Sequence, residues 1–141
     1  MEMMDKEFFK QILAIFDGES KEHIQAINDG LAQLENVSSM EDQDEIMVSI
    51  HRAAHSLKGA ARTVGLTDLE PMCQTLESAF SHIKKEKLSV PKEMIDLFGA
   101  IVEQLGILLG SVNEEGKVSG DKTKLMELID DLNTRLPLLA E

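Results

Sequence analysis

The chain has 141 residues, enough for one domain with a sizeable hydrophobic core and no need of covalent staples. Its 14 basic and 26 acidic residues leave a formal charge of -12, a field that repels phosphate backbones and anionic lipid headgroups, so nucleic acid and membrane surfaces are poor partners. The single cysteine, Cys73, cannot close a disulfide within the chain, the N-terminal MEMMDKEFF is acidic where a secretory leader is basic, and no apolar run approaches the roughly 18 residues of a membrane span. A cytoplasmic protein is expected.

Apolar residues recur at steps of three and four almost everywhere, which predicts five helices and no strands. The first runs from about Met4 to Glu35, with Phe8, Ile12, Phe16, Ile24, Ile27, Leu31 and Leu34 on one stripe. Gly18 and Gly30 are its weak points. Gly18 could divide the element in two, since glycine costs about 1 kcal/mol against alanine in a helix interior, but a continuous helix is preferred.

The polar connector NVSSMEDQD leads to a second helix, about Asp42 to Thr63, with the stripe Ile46, Ile50, Ala53, Leu57, Ala60 and Val64. Gly65 then supplies a left-handed closing turn. Thr67 followed by Glu70 reads as a capping box opening a third helix that runs to about Lys85, with Pro71 in its first turn. Leu69, Met72, Leu76, Ala79, Phe80 and Ile83 form its buried side.

After the charged turn KKEKLSV, Pro91 stands near the first position of a fourth helix carrying Met94, Phe98, Ile101, Leu105 and Leu108. Residues 111–120, SVNEEGKVSG, are polar with two glycines and read as a linker or long turn. A last helix, about Asp121 to Arg135, uses Leu125, Leu128, Ile129, Leu132 and Leu136, and Pro137 marks its end. The predicted fold is all-α: an antiparallel four-helix bundle over about residues 4–110, with a fifth helix beyond the linker, all one domain. Most methionines and phenylalanines are expected to fill its core.

The second helix carries the chemistry. At 100° per residue His55 falls opposite the apolar arc, and His51, Lys58, Gly59 and Arg62 share its outer side. Gly59 costs helix stability one turn from His55, so something other than the helix favours it. An absent side chain beside an exposed imidazole lets another surface approach closely. A neutral imidazole is a nucleophile near pH 7, able to take a phosphoryl group and pass it on, while Lys58 could neutralise phosphoryl oxygens. A carboxylate on the next helix could hold the other ring N–H and fix the tautomer; the third helix offers Glu77 and Gln74.

These residues resemble a known signature. AHSLKGAARTVGL is similar to the H-x-[LI]-K-G pattern, followed by G-[FL], of histidine-containing phosphotransfer (HPt) domains. RAAHSLKGAARTVGL, residues 52–66, looks closest to the form at the N-terminus of CheA-type chemotaxis kinases, near RAAHSIKGGAGTFGF. The likeness extends over nearly the whole chain, because that family also has a long first helix, a four-helix bundle and a fifth helix.

The resemblance implies that His55 is the phosphorylated histidine, that Lys58 and Gly59 surround it, and that Glu77 is the carboxylate that hydrogen-bonds it. Gln74 occupies a neighbouring polar position, and His51, Ser56 and Arg62 fall where the phosphoryl group or a partner would be met. Ala60 replaces the second glycine of the usual pattern and Val64 a phenylalanine, both as packing adjustments. Arg62 adds a cation, read first as solvated and second as steering an acidic partner.

His51 and His55 also have the i, i+4 spacing of a two-histidine metal site, but HExxH is absent and no cysteine is near, so no metal is expected. No nucleotide-binding motif such as G-x-x-x-x-G-K-[ST] occurs. ATP and Mg²⁺ are therefore expected on partners: the ATP-binding domain of a CheA-type kinase as donor, and CheY-like or CheB-like response regulator receivers as acceptors. The chain is expected to be part of such a kinase. A free-standing phosphorelay carrier and a non-catalytic helical interaction bundle are the alternatives.

Overall fold

Asp5 accepts a hydrogen bond from the Glu7 amide, satisfying one of the unpaired donors at the start of a long helix. In the computed structural model, which describes residues 5–140, this helix is α1, Lys6–Leu34. Ser39 caps α2, Met40–Thr63, in the same way through the Asp42 amide. Then follow α3, Glu70–Glu86, α4, Lys92–Leu109, and α5, Thr123–Arg135, with a closing 3₁₀ turn over Leu136–Ala140 that contains Pro137. α1 is unbroken at Gly18, as preferred. The first residue expected in it, Met4, lies outside the described residues.

The first four helices form the expected antiparallel bundle. Contacts between α2 and α3 run from Asp44–Lys87 at one end through His55–Glu77 to Arg62–Glu70 at the other, so the residue numbers move in opposite directions. On α1 and α4, Glu35 meets Lys92 at one end and Ile24 lies against Gly106 further along. α5 packs on α4. Phe80 of α3 and Phe98 of α4 meet across the core with ring centroids 4.7 Å apart, tilted by 49°.

The Gly30 weakness has a packing cause. A Cβ there would collide with the Ile50 side chain, so the glycine lets α1 and α2 approach closely. Gly65 takes the predicted left-handed turn with φ +78°, and its N–H and that of Leu66 close on Arg62 and Ala61 carbonyls.

Two expectations are corrected. Phe8 is 54% exposed rather than in the core, because it lies in the first turn of α1, where α2 no longer covers the helix. The Thr67–Glu70 capping box does not form: Leu66–Leu69 make a hydrogen-bonded turn, α3 starts at Glu70 without a side-chain cap, and the Glu70 carboxylate turns to Arg62. Residues 111–120, read as a linker or long turn, take the form of a turn. Val112 and Val118 form an isolated antiparallel bridge, Asn113 Oδ1 accepts from the amides of Glu115 and Lys117, and the Phe9 ring seats against Gly116.

Candidate functional site

The antiparallel pairing of α2 with α3 brings four polar residues of the predicted set together. His55 projects from α2 with its side chain 64% exposed, as the helical geometry required. Its Nδ1 lies 2.7 Å from Oε2 of Glu77 on α3. The other carboxylate oxygen, Oε1, is 2.8 Å from the Lys58 ammonium. Lys58 also donates to Oε1 of Gln74 at 2.9 Å, and Gln74 in turn donates through Nε2 to the Ser78 hydroxyl at 2.9 Å.

The charge state follows from this geometry. Burial alone would raise the Glu77 carboxyl, but the Lys58 ammonium 2.8 Å away and the hydrogen bond with His55 outweigh it and hold the group below the usual carboxylate range. An ionised carboxylate can only accept, so Nδ1 of His55 carries the proton that faces Glu77, and in the neutral ring the lone pair is then on Nε2. The result is an exposed ring held from behind by an anion, with a free nitrogen able to act as a nucleophile.

Lys58 and His51 depart from a simple outward stripe, since α3 covers that side of α2. Their side chains are 13% and 26% exposed. His51 Nε2 stands 3.8 Å from the same Oε2 that His55 occupies, too long for a hydrogen bond. Burial, then the nearby Lys84 charge, lower its pKa, so the ring is neutral near pH 7.

The remaining predicted residues are not part of this network. Ser56 is half-buried beside His55, and Gly59 is exposed with nothing within 4 Å of an added Cβ. Arg62 is engaged rather than merely solvated: its Nη2 and Nε lie 2.6 and 2.7 Å from Oε2 of Glu70. Ala60 and Val64 pack against the core, as packing adjustments would. Among the described residues no group of three or more His, Cys, Asp or Glu side chains is placed to hold a metal. No helix of the described residues is long and apolar enough to cross a membrane.

Sequence reasoning missed Ser78 and Lys84. Ser78 was legible as the i+4 neighbour of Gln74 on an exposed helix face. Lys84 was not, because its effect on His51 arises only once α3 is laid against α2 in register.

Comparison with known proteins agrees with the geometry. A curated relative, the Chemotaxis protein CheA of Bacillus subtilis, is 30% identical over 120 residues, covering 85% of this chain and 17% of its own length. The Chemotaxis protein CheA of Listeria monocytogenes is 25% identical over 121 residues, 86% of this chain and 19% of its own. The chain thus spans less than a fifth of the length of these relatives. Among solved structures, the phosphorylated P1 domain of CheA3 from R. sphaeroides, in complex with CheY6, superposes with a TM-score of 0.78 at 18% identity, covering 92% of this chain and 98% of that one. At that identity the match speaks for the fold. The Hpt domain profile matches residues 11–108, most of the bundle including His55, Lys58 and Glu77, and the chain belongs to the Hpt domain family.

Proposed function

We propose that this chain is the phosphotransfer domain of a CheA-like chemotaxis kinase, with His55 as its phosphoacceptor. The observation that carries this is the Glu77–His55 pair, 2.7 Å long, which engages Nδ1 of an exposed ring and leaves Nε2 without a protein partner among the described residues. ATP is held by the kinase's own ATP-binding domain, and this domain binds no cofactor itself. Nε2 attacks the γ-phosphorus, the bond to the β,γ-bridging oxygen breaks, and ADP leaves with that electron pair. The ring, still protonated on Nδ1, becomes cationic, and the Glu77 carboxylate offsets that charge.

In the second step a receiver aspartate attacks the same phosphorus. The Nε2–P bond breaks, its electrons return to the ring, and a P–O bond forms on the receiver, whose own acidic pocket supplies the Mg²⁺. The CheA relatives, and the complex of the R. sphaeroides P1 domain with CheY6, support a CheY-like receiver, and a CheB-like receiver would offer the same aspartate chemistry. Gly59 supports close approach, since the space above it is open. A cytoplasmic location accords with this chemistry, which draws on ATP.

The test is phosphorylation by a CheA-type kinase domain with γ-labelled ATP. An acid-labile, alkali-stable label is expected, and His55→Gln should abolish it. Label persisting at full level in His55→Gln would reject the assignment.

A further inference from the structure

Two imidazoles face one carboxylate oxygen. Oε2 of Glu77 is 2.7 Å from His55 Nδ1 and 3.8 Å from His51 Nε2, while Oε1 is already taken by Lys58 at 2.8 Å. His51 stands one helical turn before His55 on α2, so both rings reach the same point on α3. The phosphotransfer chemistry as described uses only one of them.

His51 lines a groove of about 330 Å³ together with Gln74, Glu77, Ser78, His82 and Lys85 of α3, so water and protons reach it. Among the described residues, the groups acting on its charge are Lys84 and Glu77 from α3 and His55 and Lys58 from its own helix; none comes from α1. Three of these four are cations or potential cations, and burial adds to their effect, so the ring stays neutral near pH 7. A neutral ring at 3.8 Å leaves Oε2 to His55. A protonated one is drawn to the Glu77 carboxylate, the anion that faces it.

We propose that His51 is a positioning residue that sets how firmly Glu77 holds His55: neutral, it leaves Oε2 to the phosphoacceptor, and protonated, it takes that oxygen as an ion pair and loosens the His55 ring. Acid then slows phosphoryl uptake through a residue that never touches phosphorus. This rests on the reading of His55 as phosphoacceptor.

The experiment has two arms on the full chain. In the first, ¹⁵N imidazole resonances of His51 are titrated in the wild type, His55→Gln and Glu77→Gln. If the carboxylate is shared, His55→Gln frees Oε2 and raises the His51 midpoint, whereas Glu77→Gln removes the attraction and lowers it. Equal midpoints in all three proteins would overturn the inference whether or not His55 accepts phosphate.

In the second arm, a small phosphoramidate donor phosphorylates the protein about one pH unit above and about one below the His51 midpoint found in the first arm, without any kinase, releasing ammonia as the P–N bond to His55 forms. The rate ratio between the two pH values should be larger in the wild type than in His51→Gln, by about three- to tenfold, the scale of one weakened charge-assisted hydrogen bond. Equal ratios would overturn the positioning role. Absence of any label on His55 would instead sink the phosphoacceptor reading, while the first arm still decides whether the carboxylate is shared.

Discussion

Glu77→Ala should slow phosphorylation of His55 while leaving the bundle helical. The substitution removes the acceptor 2.7 Å from Nδ1, so the ring loses both its fixed tautomer and its fixed rotamer. A charge-assisted hydrogen bond of this kind contributes about 1.5–3 kcal/mol, which converts to about a 10- to 100-fold loss of rate when the orientation must be recovered by chance. The same change strands the Lys58 ammonium, 13% exposed, although Gln74 at 2.9 Å still accepts from it. Initial rates under limiting kinase, with circular dichroism to confirm helicity, measure the effect. Asp44→Asn serves as the control: it breaks the Lys87 ion pair at the far end of the same α2–α3 interface without touching an imidazole. A rate for Glu77→Ala within about twofold of wild type, or an equal loss in Asp44→Asn, would refute the orienting role.

Gly30→Ala should lower the urea midpoint, because the new methyl meets Ile50 in a fully buried contact and overpacking costs about 1–3 kcal/mol, more than the helix propensity gained. Phe80→Ala should cost about 3–5 kcal/mol in the same assay, since the ring is fully buried against Phe98. Gly59→Ala should do the opposite and raise the midpoint by up to about 1 kcal/mol, as nothing lies within 4 Å of the added carbon, while slowing transfer to a receiver protein. Stability should also fall on acidification in two stages. His51, lowered by burial and Lys84, contributes stability that is present above the ordinary histidine value of about 6.5 and is lost below it, and Glu77, lowered by Lys58 and His55 against its burial, does the same below about 4.5. Urea midpoints measured against pH should show the upper stage removed by His51→Gln and the lower stage reduced by Glu77→Gln.

The helices and most of the core were legible because apolar periodicity and burial have the same cause: Ile50, Leu57, Leu76, Phe80, Phe98 and Ile101 are all essentially inaccessible. What periodicity could not show was which partner a surface residue finds. Thr67 and Glu70 have the spacing of a capping box, yet Arg62 on the preceding helix offers Glu70 a cation at 2.6 Å, and the ion pair prevails over the local cap. Gly30 read as a helix defect because the gain it permits lies on another helix. His55, Lys58 and Glu77 were recognisable from the motif and its spacing, whereas the half-burial of Lys58 and His51 depends on α3 lying over α2.

The site demands little beyond that one register. Lys87–Asp44, Glu77–His55, Gln74–Lys58 and Glu70–Arg62 succeed one another along α3 and α2 as a single antiparallel ladder. Leu57 and Leu76, the neighbours of Lys58 and Glu77 in sequence, are each fully buried and anchor the two helices in the core. A one-residue slip would rotate Glu77 by about 100° away from His55, so the core that fixes the register also fixes the imidazole. The domain therefore keeps the His55 ring aligned without a cavity enclosing it, and on the proposed reading the ring stays open to a kinase and then to a receiver. That openness leaves the hydrogen bond behind the ring as the main control on its reactivity, and Oε2 of Glu77, within reach of both His55 and His51, is where acid can loosen it.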